Sequence, residues 1–181
     1  MKFALAKEHR EFFAKNHYIE FENLLTLEES TLLHRKITEL LPKKQHDLWR
    51  QDKDLEKIVL SRKLAEVAAD LFKQPELRIA FDQYQKETSP RSLQQRSSLQ
   101  PLIAALALPL DEPLSSAIYF SPTTPEQLPF FSRPLLLIAY CSNKTQYTLV
   151  KEDPHTHALK ALGYAFGDSI NSSTHPLLLK R

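Results

Sequence analysis

The chain has 181 residues, 42% apolar and 25% charged, with 24 basic against 22 acidic side chains and a net charge of +2. These are ordinary values for one globular domain with a sizeable core, expected to span residues 1–181, and the charge balance by itself neither calls for nor forbids a nucleic-acid partner. The lone cysteine, Cys141, excludes an intrachain disulfide and a multi-cysteine zinc site, and having only two glycines, Gly163 and Gly167, excludes the glycine-rich phosphate loops.

The opening MKFALAKEHREFF has a short apolar patch followed at once by charges. It lacks the apolar core of a secretory signal, so a cytoplasmic location is expected. Residues 4–15 read as a helix in which Leu5, Phe12 and Phe13 share a face, with Asn16 and His17 as its stop. Residues 18–21 alternate as a short strand. Thr26 and Glu29 form a capping box, and Leu32, Leu33, Ile37, Leu40 and Leu41 recur at helical spacing until Pro42. A polar loop with Trp49 as a packing anchor follows.

Residues 54–72 are helical in pattern, with a break near Leu60 and Ser61 and a stripe of Leu64, Val67, Ala68 and Leu71. Residues 76–84 alternate, which places Leu77, Ile79 and Phe81 on one side of a half-buried strand. Residues 85–98 are polar and read as an exposed loop. Residues 102–110, cut to strand length by Pro101 and Pro109, and residues 115–120 read as strands. A proline-bounded connector over 122–129 carries one helical turn at Thr124, Pro125 and Glu126.

Residues 135–140 and 147–150 are apolar runs separated by Ser142, Asn143, Lys144 and Thr145. That pattern predicts an antiparallel hairpin whose first strand is covered on both faces at the middle of a sheet. The longest apolar runs fall well short of the roughly 20 residues a membrane helix needs. A turn or two of helix over 155–162, a short strand over 164–166 and an apolar end at 176–179 complete the order. Helices first and strands after them predict an α+β domain.

The candidate chemistry is sparse. A non-haem iron site uses two histidines and a carboxylate and leaves positions open on the metal. The one local match, His9-Arg10-Glu11, lies in the first helix, where residues two apart face different sides. His155 and His157, with Asp153 and His175, are the alternative donors, although histidines in a polar loop are expected to be solvated. The segment from Gly163 to Asp168 fits a tight turn better than the mouth of a pocket. Ser169, Ser172 and Ser173 lie near His175 and Asp168 without a nucleophile-elbow pattern, and Cys141 reads as a small buried hydrophobe. Lys43, Lys44, Arg50 and Lys53 form one basic group and Arg91 with Arg96 another. Both are spaced like a solvated face, with Arg91 and Arg96 the DNA contact to test.

Residues 17–37, HYIEFENLLTLEESTLLHRKI, resemble the opening of the phytanoyl-CoA hydroxylase branch of the iron(II) and 2-oxoglutarate-dependent oxygenases. Residues 64–72 with Pro75, Glu76 and Leu77 look like that branch's next helix and strand, and residues 98–122 are similar to its first barrel strands. The chain also looks like small chlamydial proteins of this fold with a degenerate metal site. The resemblance implies a double-stranded β-helix, a jelly-roll, cupin-like barrel with flanking N-terminal helices.

The same resemblance implies an H-x-D pair near residues 94–98, where this chain has Gln94, Gln95, Arg96, Ser97 and Ser98, neither histidine nor acid. His175 stands where the distal histidine would fall, and Arg133 or Lys151 where a residue would hold the oxoglutarate carboxylate. The expectation is therefore a barrel without catalytic or metal residues, with no cofactor, serving a binding or regulatory role toward a protein or a small acid. The alternatives are an active oxygenase using Fe(II) and 2-oxoglutarate through His155, His157, His175 and Asp153, and a DNA-binding regulator.

Overall fold

The computed structural model describes residues 5–41, 43–86, 89, 91–111, 116–124 and 129–181. Of the helical turn expected at Thr124, Pro125 and Glu126, Pro125 and Glu126 fall outside this set.

Helix α1 (Lys7–Asn16) ends where His17 turns left-handed at φ 63°. It buries Phe13, with Leu5 buried just before it, but Phe12 is 46% exposed and meets Tyr18 edge-on, contrary to the shared face expected for all three. Helix α2 (Leu27–Leu40) starts at the expected capping box. Thr26 Oγ1 accepts from the Glu29 amide at 3.1 Å, and Glu29 Oε2 accepts from the Thr26 amide at 2.8 Å. Helices α3 (Lys53–Val59) and α4 (Arg62–Leu71) meet at the expected break. Asp52 Oδ1 caps α3 by accepting from the Asp54 and Leu55 amides. No helix among the described residues is long and apolar enough to cross a membrane.

The strands are β1 (Tyr18–Phe21), β2 (Glu76–Gln85), β3 (Leu99–Pro109), β4 (Ala117–Phe120), β5 (Leu135–Tyr147) and β6 (Leu177–Lys180). They pair antiparallel in the order β1-β4-β3-β5-β2-β6. The sheet curls into a jelly-roll-like half-barrel, with the four helices against one face. Along β5, Leu136, Ile138 and Tyr140 join the helix-side core, while Leu135, Leu137, Ala139 and Cys141 fill the inner face. Strand β3 divides likewise, with Ala104, Leu106 and Leu108 toward the helices and Ala105 and Ala107 inward. A continuous apolar run is what a strand buried on both faces requires.

Four expectations are corrected. The hairpin is one strand. Pairing steps from Leu102↔Cys141 to Gln100↔Gln146, so residues 142–145 bulge out opposite Pro101 alone. Thr145 Oγ1 donates to the Pro101 carbonyl at 2.7 Å and accepts from the Ser142 amide at 3.3 Å, which closes the bulge with side-chain bonds.

A second bulge, between Ile79 and Phe81, breaks the alternation of β2. Leu77 and Ile79 face the helices, Ala80 and Phe81 face inward, and Asp82 is 0% exposed where a solvent-facing carboxylate was expected.

Residues 91–98 are not an exposed loop. Ser92, Leu93, Ser97 and Ser98 are buried, and Arg96 Nη2 donates to Gln85 Oε1 at 2.9 Å.

Finally, residues 164–166 are not a strand. Gly163 (φ 88°) ends a short 3-10 turn over Ala158–Leu162, and Gly167 (φ 98°) lets its amide reach the Tyr147 carbonyl at 2.7 Å. Both φ values are ones that L side chains rarely adopt, so the glycines serve the turn.

Candidate functional site

The inner face is the surface on which the resemblance sets a metal. Here it is closed by its own side chains. Leu135, Leu137, Ala139, Cys141, Ala105, Ala107, Phe120 and Phe131 are all 0% exposed. Burial pushes the Cys141 thiol up to about 12, so it is neutral and its Sγ faces the Ile79 carbonyl.

At one end of this face, residues 94–98 meet the segment that follows β5. Asp153 ties the two together. Its Oδ2 accepts from the Ser98 amide at 2.7 Å and from Ser98 Oγ at 2.5 Å, while Oδ1 accepts from the His155 amide at 2.7 Å. Both carboxylate oxygens are thus committed to protein donors. Arg96 and Ser98, at the place of the implied H-x-D pair, bond Gln85 and Asp153. Replacing Asp153 by Ala would strand three buried or half-buried donors, each costing about 1–3 kcal/mol where water cannot reach it. Urea unfolding is expected to show a loss of about 3 kcal/mol for Asp153→Ala and a smaller one for Asp153→Asn. A loss below about 1 kcal/mol for Asp153→Ala would remove this tether from the account.

Next to the tether, three rings stack. Phe81 lies 5.3 Å from His46, and His46 lies 4.2 Å from His155, with interplanar angles of 24° and 25°. Burial lowers the His46 pKa to about 4 and lowers that of His155 as well, so the stacked pair is neutral at pH 7. Behind the pair, Ser97, Ser98, Asp153 and Phe81 line a cavity of about 20 Å³, room for about one water. In front, an open groove of about 500 Å³ runs between residues 43–51 and 155–162.

Asp47, on the groove wall, accepts from Arg50 Nε at 3.2 Å and lies 3.8 Å from His46 Nδ1. Arg50 also donates from Nη2 to the Thr174 carbonyl at 2.6 Å and lies 4.2 Å above the Trp49 ring. Beneath them Asp82 Oδ1 accepts from the Trp49 amide at 3.2 Å, while Oδ2 is buried without a partner among the described residues. Burial, and then the Asp47 charge, raise the Asp82 pKa to about 8.

The other expected residues lie apart. His157 sits beside the Phe166 ring at 5.9 Å. His175 is 0% exposed, with Nδ1 toward Thr174 Oγ1 and Tyr164 OH and Nε2 buried without a partner among the described residues. Burial lowers its pKa to about 4. So His155, His157, His175 and Asp153 each face different neighbours, contrary to the alternative donor set. His9 Nδ1 accepts from the Ala6 amide and Glu11 pairs with Lys7, which separates that pair too.

Ser172 Oγ accepts from Arg78 and Ser173 Oγ donates to Asn171 Oδ1, so neither addresses His175. Arg133 pairs with Asp111 at 3.6 Å, and Lys151 is exposed on a turn. Lys53 pairs with Glu56, Arg91 pairs with Glu152 at 2.9 Å, and Arg96 points inward, which takes the expected DNA contact apart. Trp49 is buried at 7% exposure, as an anchor should be. Among the described residues, no group of three or more His, Cys, Asp or Glu can hold a metal ion. Iron(II) therefore does not fit the described residues at this place.

His46, Asp47 and Asp82 did not stand out in the sequence. His46 and Asp47 sit in an unpatterned polar stretch, and Asp82 is buried only because of a bulge that leaves no mark in the alternation.

No family model matches the chain, and no curated protein sequence matches it. Solved structures do. CT296 from Chlamydia trachomatis is 18% identical, with a TM-score of 0.62 over 78% of this chain and 99% of that one. The non-heme alpha-ketoglutarate-dependent carbocyclase SnoK from nogalamycin biosynthesis is 13% identical, with a TM-score of 0.73 over 96% of each chain. The alpha-ketoglutarate-dependent epimerase SnoN from the same biosynthesis is 9% identical, with a TM-score of 0.75 over 97% of this chain and 96% of that one. At such identities the likeness concerns the fold alone, and that fold is the one seen in non-haem iron(II) and 2-oxoglutarate oxygenase structures, present here without an assembled metal-ligand cluster among the described residues.

Proposed function

We propose that this chain is a non-catalytic binding protein, one oxygenase-like domain over residues 1–181 that works in the cytoplasm. One observation carries the reading: the inner face is filled by buried apolar side chains, and residues 94–98 spend their polar groups on Gln85, Ser92, Leu99, Leu102 and Asp153. An oxygenase must hold iron with open positions and admit oxygen and substrate to it. Neither the donors nor the space for that is in place on this face. SnoN is described in complex with Fe3+ and alpha-ketoglutarate, and the present chain is read as having kept the scaffold and left that chemistry.

The test is turnover. Purified chain supplied with ferrous iron, ascorbate, oxygen and 2-oxoglutarate is expected to release no succinate above a protein-free control. Succinate release that depends on the chain and disappears in His155→Ala or His175→Ala would establish the enzymatic alternative.

A further inference from the structure

The groove in front of the stacked histidines has a charge surplus that the fold does not use. Its lining carries three permanent cations, Lys43, Lys44 and Arg50, against one carboxylate, Asp47, a surplus of two positive charges. Asp47 is already neutralised by Arg50 at 3.2 Å. Lys43 and Lys44 are exposed and have no carboxylate partner among the described residues.

The guanidinium of Arg50 is held in place from three sides, by Asp47, by the Thr174 carbonyl and by the Trp49 ring. Arg50 is thus a fixed positive point at the groove wall, with Nη1 uncommitted among the described residues, while the two lysines are exposed ones at its rim. The opposite wall combines His155 and His157 with the apolar side chains of Ala158, Ala161 and Leu162. About 500 Å³ is within the ordinary range for small-molecule sites, and apolar walls with a few placed polar groups are their usual make-up.

The geometry points to this groove as the binding site of a small phosphomonoester, with the phosphate against Lys43, Lys44 and Arg50 and its organic part on Leu162. The inference rests on the binding-protein reading and gives it a ligand class. Three cationic groups on one side suit the three outer oxygens of a phosphate ester, whose charge at neutral pH is about −1.5 to −2. Lysine ammonium groups are established phosphate binders as point charges. A dicarboxylate would need its two cationic partners at separate ends, whereas the unpaired lysines are neighbours in sequence. A nucleic acid would need a longer track of charge, and the Arg91 and Arg96 group that would extend it is engaged elsewhere.

Phenyl phosphate and inorganic phosphate are the probes, titrated calorimetrically into the full chain in metal-free buffer near physiological ionic strength. Phenyl phosphate is expected to saturate at one equivalent and to bind more tightly than inorganic phosphate. Its affinity is expected to fall at least about fivefold in the Lys43→Gln/Lys44→Gln variant, whose exposed substitutions leave the melting temperature unchanged. Three results would overturn the inference: no saturation by either probe up to about 10 mM, a smaller effect of the double substitution, or tighter binding of glutarate or a short DNA duplex at the same residues. Because no iron is added, this outcome is independent of the succinate assay. A chain that releases succinate yet binds phenyl phosphate here would refute the non-catalytic reading and leave the groove assignment standing.

Discussion

Asp82→Asn is expected to raise stability above pH 7 and to abolish the alkaline decline of the wild-type curve. The reasoning is a proton count. Asp82 holds its proton up to about pH 8 in the folded state, against an ordinary value of 3.8. His46 and His175 are protonated in the folded state only below about 4, against 6.5 when free. Between pH 4 and 6.5 the unfolded chain therefore carries two extra protons on the histidines and the folded chain one on Asp82. The unfolded state binds one more overall, so stability rises with pH there, by about 1.4 kcal/mol per unit. His155, lowered in the same direction, adds to that slope.

Between pH 6.5 and 8 only Asp82 differs. The folded state now binds the extra proton, and stability falls by about 1.4 kcal/mol per unit. The wild-type optimum is thus expected near pH 6.5, with about 2 kcal/mol lost by pH 8. Asparagine keeps an acceptor for the Trp49 amide and cannot ionise. In Asp82→Asn the alkaline limb should flatten and the acid limb should steepen to at least about 2.8 kcal/mol per unit, since His46 and His175 then act unopposed and His155 adds to them. Urea unfolding at half-unit pH steps reads both limbs. An alkaline limb that persists in the variant would mean that Asp82 is not the group carrying the proton.

The second large effect concerns the inner face. Leu137 and Leu106 are both 0% exposed, Leu137 on the inner face and Leu106 against the helices. If both faces are packed cores, Leu137→Ala and Leu106→Ala should each cost about 2–5 kcal/mol in denaturant unfolding, through lost transfer energy plus a cavity. An inner face that enclosed a wet ligand chamber would give a different pair of numbers. Leu106→Ala would keep its full cost, and Leu137→Ala would fall to about 1 kcal/mol or less, because water already present would fill the space.

What the sequence made legible was local. The Thr26 and Glu29 capping box, the break at Leu60 and Ser61, and the end of β3 at Pro109 each depend on neighbours within a few residues, whereas Pro101 does not start β3, which runs through it from Leu99. The double burial of residues 135–140 was legible too, because an unbroken apolar run has few other uses. The two bulges were not. A polar interruption between apolar runs reads equally as a turn or as a bulge, and only the long-range pairing of β5 with β3 and β2 decides.

The β2 bulge had the larger consequence. By reversing the faces after Ile79 it buried Asp82 beside residues 47–50, 33 positions from Trp49 in sequence, and so created the polar cluster next to the groove. At residues 94–98 the missing metal ligands could be read directly. That those residues are packed rather than exposed could not, because Ser97 and Ser98 are buried through partners as distant as Asp153.

The central claim is that the inner face of the half-barrel is a closed apolar core that takes up no metal. The most direct measurement is a titration of the full chain with manganese(II), a paramagnetic stand-in for ferrous iron, in the presence of 2-oxoglutarate. The signals to follow are the NMR methyl resonances of Ala105, Ala107 and Ala139, three inner-face residues that are 0% exposed. With a closed inner face their linewidths stay constant through one equivalent, while selective broadening of those three methyls at one equivalent would show that the face takes up metal.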